Sequence, residues 1–460
     1  MIGRIEEQKW LKQYYASNKS EFIVVYGRRR IGKTYLIKNY FNGNLFFACS
    51  STEFDTQKIQ LEKWAESLHS NKKISNWSQA FKALKEKIEK SSVTEKKVIF
   101  IDEFPWFVDN NLQFMSYFDS FWNDFAAFRN DILLIVCGSA GNFIVNNIIN
   151  ATGGLHNRKT GIIKLDPFNL QETAELLRFN GLIYNQQDIL EIFMILGGIP
   201  YYLDFLAPGL SVAQNIDRVL FAKSAPLRNE YNILFKSLFK NNDTYKLIIE
   251  TIAKSYVGLS RQEIVNKTNI LNNGYLTKIL DNLENCNFIK RYSNYPNKKK
   301  EAVFQVIDNF CLFNQRIIEK EDINDDNFWS NVYKFPKYNS WRGYAFEQVC
   351  YQHIPQIKKA LGISGIYTYV ANWRVSKAQI DLLIERSDRI INLCEIKYLY
   401  SSYTINQKEY ENLQNKMRIF NETTKVNTTI HNVLISPYGL NKNSYSNIIQ
   451  ADLTLKDLFN

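Results

Sequence analysis

Histidine and cysteine are scarce in this chain, four and six among 460 residues. The cysteines, at positions 49, 137, 286, 311, 350 and 394, form no C-x-x-C pair. That argues against a structural zinc site or a disulfide-built scaffold. No apolar run approaches the ~20 residues that a helix needs to cross a bilayer. The opening Met1-Ile-Gly-Arg-Ile-Glu-Glu also lacks a signal peptide's apolar stretch. A reduced, cytoplasmic protein with no membrane partner is expected. Acidic residues are in deficit, 46 against 57 Lys and Arg, for a net charge of +11. Residues 331–460 hold +6 of this, from 16 Lys and Arg against 10 Asp and Glu. Such an excess suits a polyanionic partner without demanding one. The remaining composition, 45% hydrophobic and 22% charged, is that of a globular chain of two to four domains.

Against these absences, residues 27 to 34 carry a specific motif. Gly27-Arg28-Arg29-Arg30-Ile31-Gly32-Lys33-Thr34 matches G-x-x-x-x-G-K-[ST] in full. It follows a buried-strand pattern, Phe22–Tyr26, and opens a helical one from Tyr35. In that setting the backbone N–H groups of residues 27–34 wrap the phosphates of a nucleotide, with the helix N-terminus adding positive character. Gly27 and Gly32 permit the tight path, Lys33 is expected on the outer phosphates, and the Thr34 hydroxyl is expected on magnesium. No Asn-Lys-x-Asp segment is present, so adenine is the expected base and ATP the expected cofactor.

Hydrolysis needs more than a phosphate loop. Val98-Ile-Phe-Ile ends in Asp102-Glu103, and a fully apolar run is what a strand buried on both faces of a parallel sheet requires. Such strands are common alone; this one gains meaning from the loop upstream. Asp102 would hold magnesium through water and Glu103 would polarise the attacking water. A third apolar strand, Ile132–Val136, leads to Ser139, a candidate γ-phosphate sensor that reads equally well as a turn serine.

The order of patterns suggests five segments. Residues 1–165 alternate apolar strands (22–26, 45–49, 98–101, 132–136, 161–165) with helices, as in a parallel α/β sheet. Residues 166–240 read as a helical lid, broken at Gly197-Gly198-Ile199-Pro200. Residues 241–310 follow the layout of a winged helix-turn-helix. Ser260 and Glu263 make a capping box there, and Leu276, Ile279, Leu280 and Leu283 form one buried helical face. The opposite face, with Asn273, Thr277, Lys278, Asp281, Asn282 and Glu284, is close to neutral, so Lys298, Lys299 and Lys300 are the better phosphate contacts. An acidic linker is expected over 311–330, and a last domain over 331–460.

That last domain holds a second constellation. Gln379–Glu385 and Ile391–Tyr398 read as adjacent strands, with Glu395 and Lys397 sharing a face and Asp381 beside them. Two carboxylates can hold magnesium, and a lysine next to them can orient the water that attacks a phosphodiester. Glu347, on a helix opened by Arg342-Gly343, is a further candidate ligand. Acid-x-Lys on a strand is common, so the weight lies on the whole set in a basic domain.

Taken together, the motifs resemble the archaeal-type ATPases of the STAND/AAA-like group. Members of that group often end in a PD-(D/E)XK restriction-endonuclease-like domain. Ile2-Gly3-Arg4-x-x-Glu7-x-x-x-Leu11, Gly27–Thr34, Ile101–Trp106, Cys137-Gly138-Ser139 and Gly198-Ile199-Pro200 stand in the family's order. The resemblance implies a C-terminal α/β restriction-endonuclease-like domain carrying Glu347, Asp381, Glu395 and Lys397. It departs at Thr152–Asn157, where the family often has a basic, proline-containing segment. Arg158 beyond it could face a γ-phosphate or a neighbouring subunit of a homo-oligomer. The expectation is an ATPase whose nucleotide state controls magnesium-dependent DNA cleavage. Its rivals are a regulatory ATPase whose last domain only binds nucleic acid or protein, and a helicase-like motor.

Overall fold

The computed structural model describes every residue except 71–72, 109–111, 140–157, 240, 297–301, 322 and 324. The chain forms two compact units, Met1–Pro167 and Phe168–Asn460. In the first, the five apolar runs become β1 (Glu21–Gly27), β2 (Phe47–Ser50), β3 (Lys97–Asp102), β4 (Ile132–Ser139) and β5 (Gly161–Leu165). They pair in parallel in the order β2-β3-β4-β1-β5. The central strands β3, β4 and β1 are covered on both faces, which is why they are apolar rather than alternating. The edge strand β5 instead alternates and exposes Ile162. An aromatic cluster that includes Trp64, Trp77, Phe81, Phe107, Phe114 and Phe118 fills one side. Because β4 lies between β1 and β3, the three strands deliver Gly27, Ser139 and Asp102 to the same sheet edge. Ligands bind at such carboxyl ends in open α/β sheets.

The second unit begins with helices Leu170–Phe179, Gln186–Leu196 and Glu230–Leu238. Gly198 is required between them: a Cβ there would lie 1.8 Å from the Phe168 carbonyl oxygen, and the Phe168 N–H donates to the Gly198 carbonyl at 2.7 Å. Helices Asn242–Ala253, Arg261–Thr268 and Gly274–Asn285 then surround β6 (Leu259–Ser260), β7 (Ile289–Ser293) and β8 (Ala302–Val306). These strands form an antiparallel sheet in the order β6-β8-β7. Ser260 and Glu263 make their capping box, and Leu276, Ile279, Leu280 and Leu283 are fully buried. Asn282 corrects the reading of the opposite face. It is buried, donating to the Tyr245 hydroxyl at 2.5 Å, so a helical wheel assigned it to solvent wrongly. Asp281 and Glu284 are tied to Arg291 at 3.1 and 3.6 Å.

The expected linker over 311–330 is a second correction. It opens inside a helix, Asn309–Arg316, whose Phe310, Cys311, Leu312 and Phe313 are buried, so the acidic run only follows an element of the core. Past it, helix Asn339–Gln352 leads to a mixed sheet. Its strands are β9 (Thr368–Val375), β10 (Ala378–Arg386), β11 (Ile390–Ile396), β13 (Thr429–Ile435) and β15 (Ala451–Leu453), in the order β15-β13-β11-β10-β9. A small ladder of β12 (Tyr403–Thr404) and β14 (Leu440–Asn441) lies apart from it. β9, β10 and β11 run antiparallel, whereas β11, β13 and β15 are parallel. Helix Gln407–Thr424 lays Ile419 and Phe420 on Trp373, Ile380 and Leu393. Among the described residues no helix is long and apolar enough to cross a membrane.

His353 joins two parts of this unit. The Leu170 N–H donates to its Nε2 at 2.9 Å, so the ring proton sits on Nδ1 and is donated to the Val349 carbonyl at 2.7 Å. Burial pulls its pKa from 6.5 down to about 4. A depressed folded-state pKa means that stability is complete above pH 6.5 and declines as pH falls towards 4, by about 3 kcal/mol in all. Urea unfolding across that window should show this decline, and His353→Gln should flatten it. An identical slope in the variant would remove His353 as its source.

Candidate active sites

The phosphate loop joins β1 to helix Lys33–Tyr40 and turns on positive φ values at Arg30 (73°) and Gly32 (86°). Gly27 cannot carry a side chain, because a Cβ would stand 2.3 Å from the Leu165 carbonyl oxygen on β5. Arg4 clamps the loop from outside, donating to the Ile31 carbonyl at 3.0 Å and to the Asp166 carbonyl at 2.7 Å. Glu7 lies 3.6 Å from the same guanidinium. The opening Gly3-Arg4-x-x-Glu7 motif therefore braces the loop. Lys33 Nζ donates to the carbonyls of Gly27 and Arg28 at 3.1 and 2.9 Å, folded across the turn. Arg28 is wholly buried, whereas Arg29 is exposed and its charge favours the ionised form of Glu103.

Asp102 and Thr34 meet directly, the hydroxyl donating to Oδ2 at 2.7 Å. A hydroxyl and a carboxylate side by side at the start of a helix suit a hard, oxygen-seeking cation such as magnesium. Glu103 occupies left-handed backbone space at φ 48°, unusual for a residue with a side chain and typical of strained functional positions. Its own N–H donates to Asp102 Oδ1 at 3.0 Å, and the Phe104 N–H is anchored on the Cys137 carbonyl at 2.8 Å. Burial raises the Glu103 carboxyl above its usual range, against the pull of Lys33. The Ser139 N–H bonds this carboxylate, and β-pairing sets Ser139 level with Gly27. The carboxyl ends of β1, β3 and β4 thus gather Lys33, Thr34, Asp102, Glu103 and Ser139.

The C-terminal constellation is built at a ladder irregularity. β10 pairs with β11 as far as Leu382↔Cys394, while its register to β9 shifts between Ile380 and Leu383. Beyond that point the Ile396 N–H donates to the Asp381 carboxylate instead, at 3.1 Å. The Tyr351 hydroxyl holds the Asp381 carbonyl. Glu395 Oε1 lies 2.7 Å from Lys397 Nζ. Its Oε2 lies 2.6 Å from the Nζ of Lys416, on helix Gln407–Thr424. Burial alone would raise the Glu395 carboxyl, but the two lysines outweigh it and hold it low. Burial and then the Glu395 charge push Asp381 up, and burial followed by Asp381 does the same to Glu347. Opposite charges in turn raise Lys397 despite its burial.

The structure therefore gathers Asp381, Glu395 and Lys397. Glu347 feels the same charges, yet among the described residues no three His, Cys, Asp or Glu side chains form a metal cage. Its place as a further ligand stays a proposal; the side chain is half-buried and feels the charge of Asp381. Two oxygen-bearing acids remain a sufficient donor set for magnesium, which keeps several waters of its own. Lys416 is absent from the sequence reading. Its only signal was a lysine between Leu413 and Ile419 on the apolar stripe of an otherwise polar helix. Lys298, Lys299, Lys300 and Thr152–Asn157 lie outside the described residues; Arg158 is described and exposed.

Steric crowding at Gly27 makes one test direct. Gly27→Ala should destabilise the first unit by roughly 1–3 kcal/mol in urea unfolding, the usual range for overpacking, and weaken nucleotide binding with it. Parental stability would show that the β1–β5 edge gives way.

Residues 1–206 match a family described as an ATPase domain predominantly from Archaea. An uncharacterized protein of Methanocaldococcus jannaschii is 27% identical over 434 residues, covering 91% of this chain and 92% of its own. An uncharacterized ATP-binding protein of the same organism is 46% identical over 39 residues, 8% of this chain and 66% of that protein. Among solved structures, the Walker-type ATPase of Pyrococcus abyssi is similar at 17% identity with a TM-score of 0.48, covering 69% of this chain and 96% of its own. The chain carries an archaeal-type ATPase domain of the phosphate-loop kind.

Proposed function

We propose that the ATPase unit hydrolyses ATP through Glu103 and that its nucleotide state controls a magnesium-dependent DNA endonuclease centred on Asp381, Glu395 and Lys397. The observation that carries the second half is the convergence of two half-buried carboxylates with a lysine at an interrupted ladder. In the first unit, Lys33 neutralises charge on the transferring phosphoryl group, while Thr34 and Asp102 would hold magnesium. Glu103, its carboxyl raised by burial, accepts the proton of the attacking water. In the second, a magnesium ion on Asp381 and Glu395 would supply Lewis-acid polarisation of a phosphodiester and an acidified water. Lys397, 38% exposed and paired with Glu395 at 2.7 Å, would orient that water.

The domain layout supports this reading. In it, the three helices and three-stranded sheet within residues 241–310 are taken as a winged helix-turn-helix, and the helix and mixed five-stranded sheet within 331–460 as a restriction-endonuclease-like domain. Asp381, Glu347 and Tyr351 line a cleft of about 220 Å³ whose other wall includes Asn294 and Gln305 of the three-stranded module. Nucleotide-dependent control has a physical route within the second unit. Tyr398, next to Lys397, meets helix Gln186–Leu196, its hydroxyl accepting from Gln187 Nε2 at 2.7 Å and donating to Glu191 at 3.4 Å. A shift of that helix would move the strand end bearing the lysine.

Lys33→Ala should abolish ATP turnover, whereas Glu103→Gln should retain ATP binding and lose turnover by roughly a hundredfold or more. Turnover by Glu103→Gln at the parental rate would reassign the water activator. Full-length protein with magnesium should cut or nick DNA, in a manner that responds to ATP. Asp381→Asn should end cleavage while ATP hydrolysis stays near parental, and Lys397→Ala should slow the cut. No cleavage of linear, supercoiled, branched or single-stranded substrates, with or without nucleotide, would leave the last domain as a binding module.

A further inference from the structure

The two oxygens of Glu395 face different surroundings. Oε1 meets Lys397, which is 38% exposed, while Oε2 meets Lys416, which is 20% exposed and fixed on a helix seated by Ile419 and Phe420. Space divides in the same way. The niche beside Glu395 and Lys416, walled by Ile380, Leu393, Leu413 and Asn432, holds about 10 Å³, too little for a hydrated ion. The side lined by Asp381 opens into the larger cleft of about 220 Å³.

Resting on the magnesium-centre reading above, we infer that Lys416 sets the metal preference of this centre by keeping Oε2 of Glu395 occupied. A divalent ion arriving from the Asp381 side then finds one Glu395 oxygen available. It displaces Lys397 from Oε1, and the freed ammonium is left to face water and phosphate. Glu395 is confined to single-oxygen coordination. Magnesium demands near-ideal octahedral geometry with single-oxygen ligands and retained waters, whereas calcium readily takes a carboxylate through both oxygens. Lys416 is therefore a specificity-determining, positioning residue that favours the smaller ion.

The test uses full-length protein carrying Thr34→Ala, which silences the phosphate-loop metal position. It is titrated calorimetrically with magnesium chloride and calcium chloride alone. In this background the centre should prefer magnesium, and Asp381→Asn should remove binding of either ion. Lys416→Met, similar in length but uncharged, should shift the preference towards calcium by about tenfold, because both Glu395 oxygens become available. Lys416→Arg should restore the parental preference. If Lys416→Met does not fold, Lys416→Gln should shift the preference in the same direction by less. The infrared carboxylate splitting of the metal-bound parental protein should also read single-oxygen coordination. An unchanged preference in a folded neutral variant, or two-oxygen coordination in the parent, overturns the inference and leaves the metal centre standing. Absence of any binding that depends on Asp381 overturns the inference and the metal centre together.

Discussion

A carboxylate taken out of water must be met by a cation or by N–H groups, and this requirement organises both candidate centres. Removing one partner of a buried ion pair typically costs roughly 3–5 kcal/mol, because an uncompensated charge is left behind. Glu395 meets the requirement with a lysine on each oxygen. Asp381 meets it with a backbone N–H that the interrupted ladder leaves over, and Asp102 with the Thr34 hydroxyl and the Glu103 N–H. The acids are thus held in place by interactions that a divalent ion can partly replace. A centre built this way is both preorganised and exchangeable.

The same constraint explains where the acids lie along their strands. A carboxylate in mid-strand, between covered faces, would have no donors beyond the ladder. At a strand end or a register shift, backbone N–H groups are released. Asp102 closes β3, and Glu103 begins the turn in strained left-handed space. Asp381 lies where the β9–β10 register shifts, and Glu395 is the penultimate residue of β11. The irregularities of the two sheets coincide with their chemistry, as expected when strain is retained at functional positions.

How much of this could be read from the sequence depended on whether the information was contiguous. The phosphate loop and Asp102-Glu103 are short and self-contained, and the central apolar runs found their strands because strands covered on both faces leave an unbroken hydrophobic signature. Asp381, Glu395 and Lys397 were legible because two neighbouring strands share a face at period two. Lys416 was not, because its place next to Glu395 is set by how a helix docks on the sheet. Asn282 was misplaced since a polar residue on a helical wheel says nothing about a tyrosine from another helix that will bury it. The acidic run after residue 318 drew attention away from Phe310–Phe313, four buried residues of a core helix.

The two centres differ in how much freedom their lysines retain, and this bears on their division of labour. Lys33 is buried and bonded to two carbonyls of its own loop, so its ammonium is delivered to one location by local geometry. Lys397 is partly exposed and held chiefly by Glu395, a single contact that an arriving cation competes for directly. The first arrangement suits a phosphate always bound in the same cradle. Under the proposed function, the second would suit a polymer whose phosphodiester must be accepted at many positions, the lysine being held until a cation competes for Glu395. The residue that follows, Tyr398, is bonded to helix Gln186–Leu196, so the freedom of Lys397 is bounded by an element outside its own sheet. Under the proposed function, control would act on the strand end rather than on the acids, leaving their charges compensated throughout.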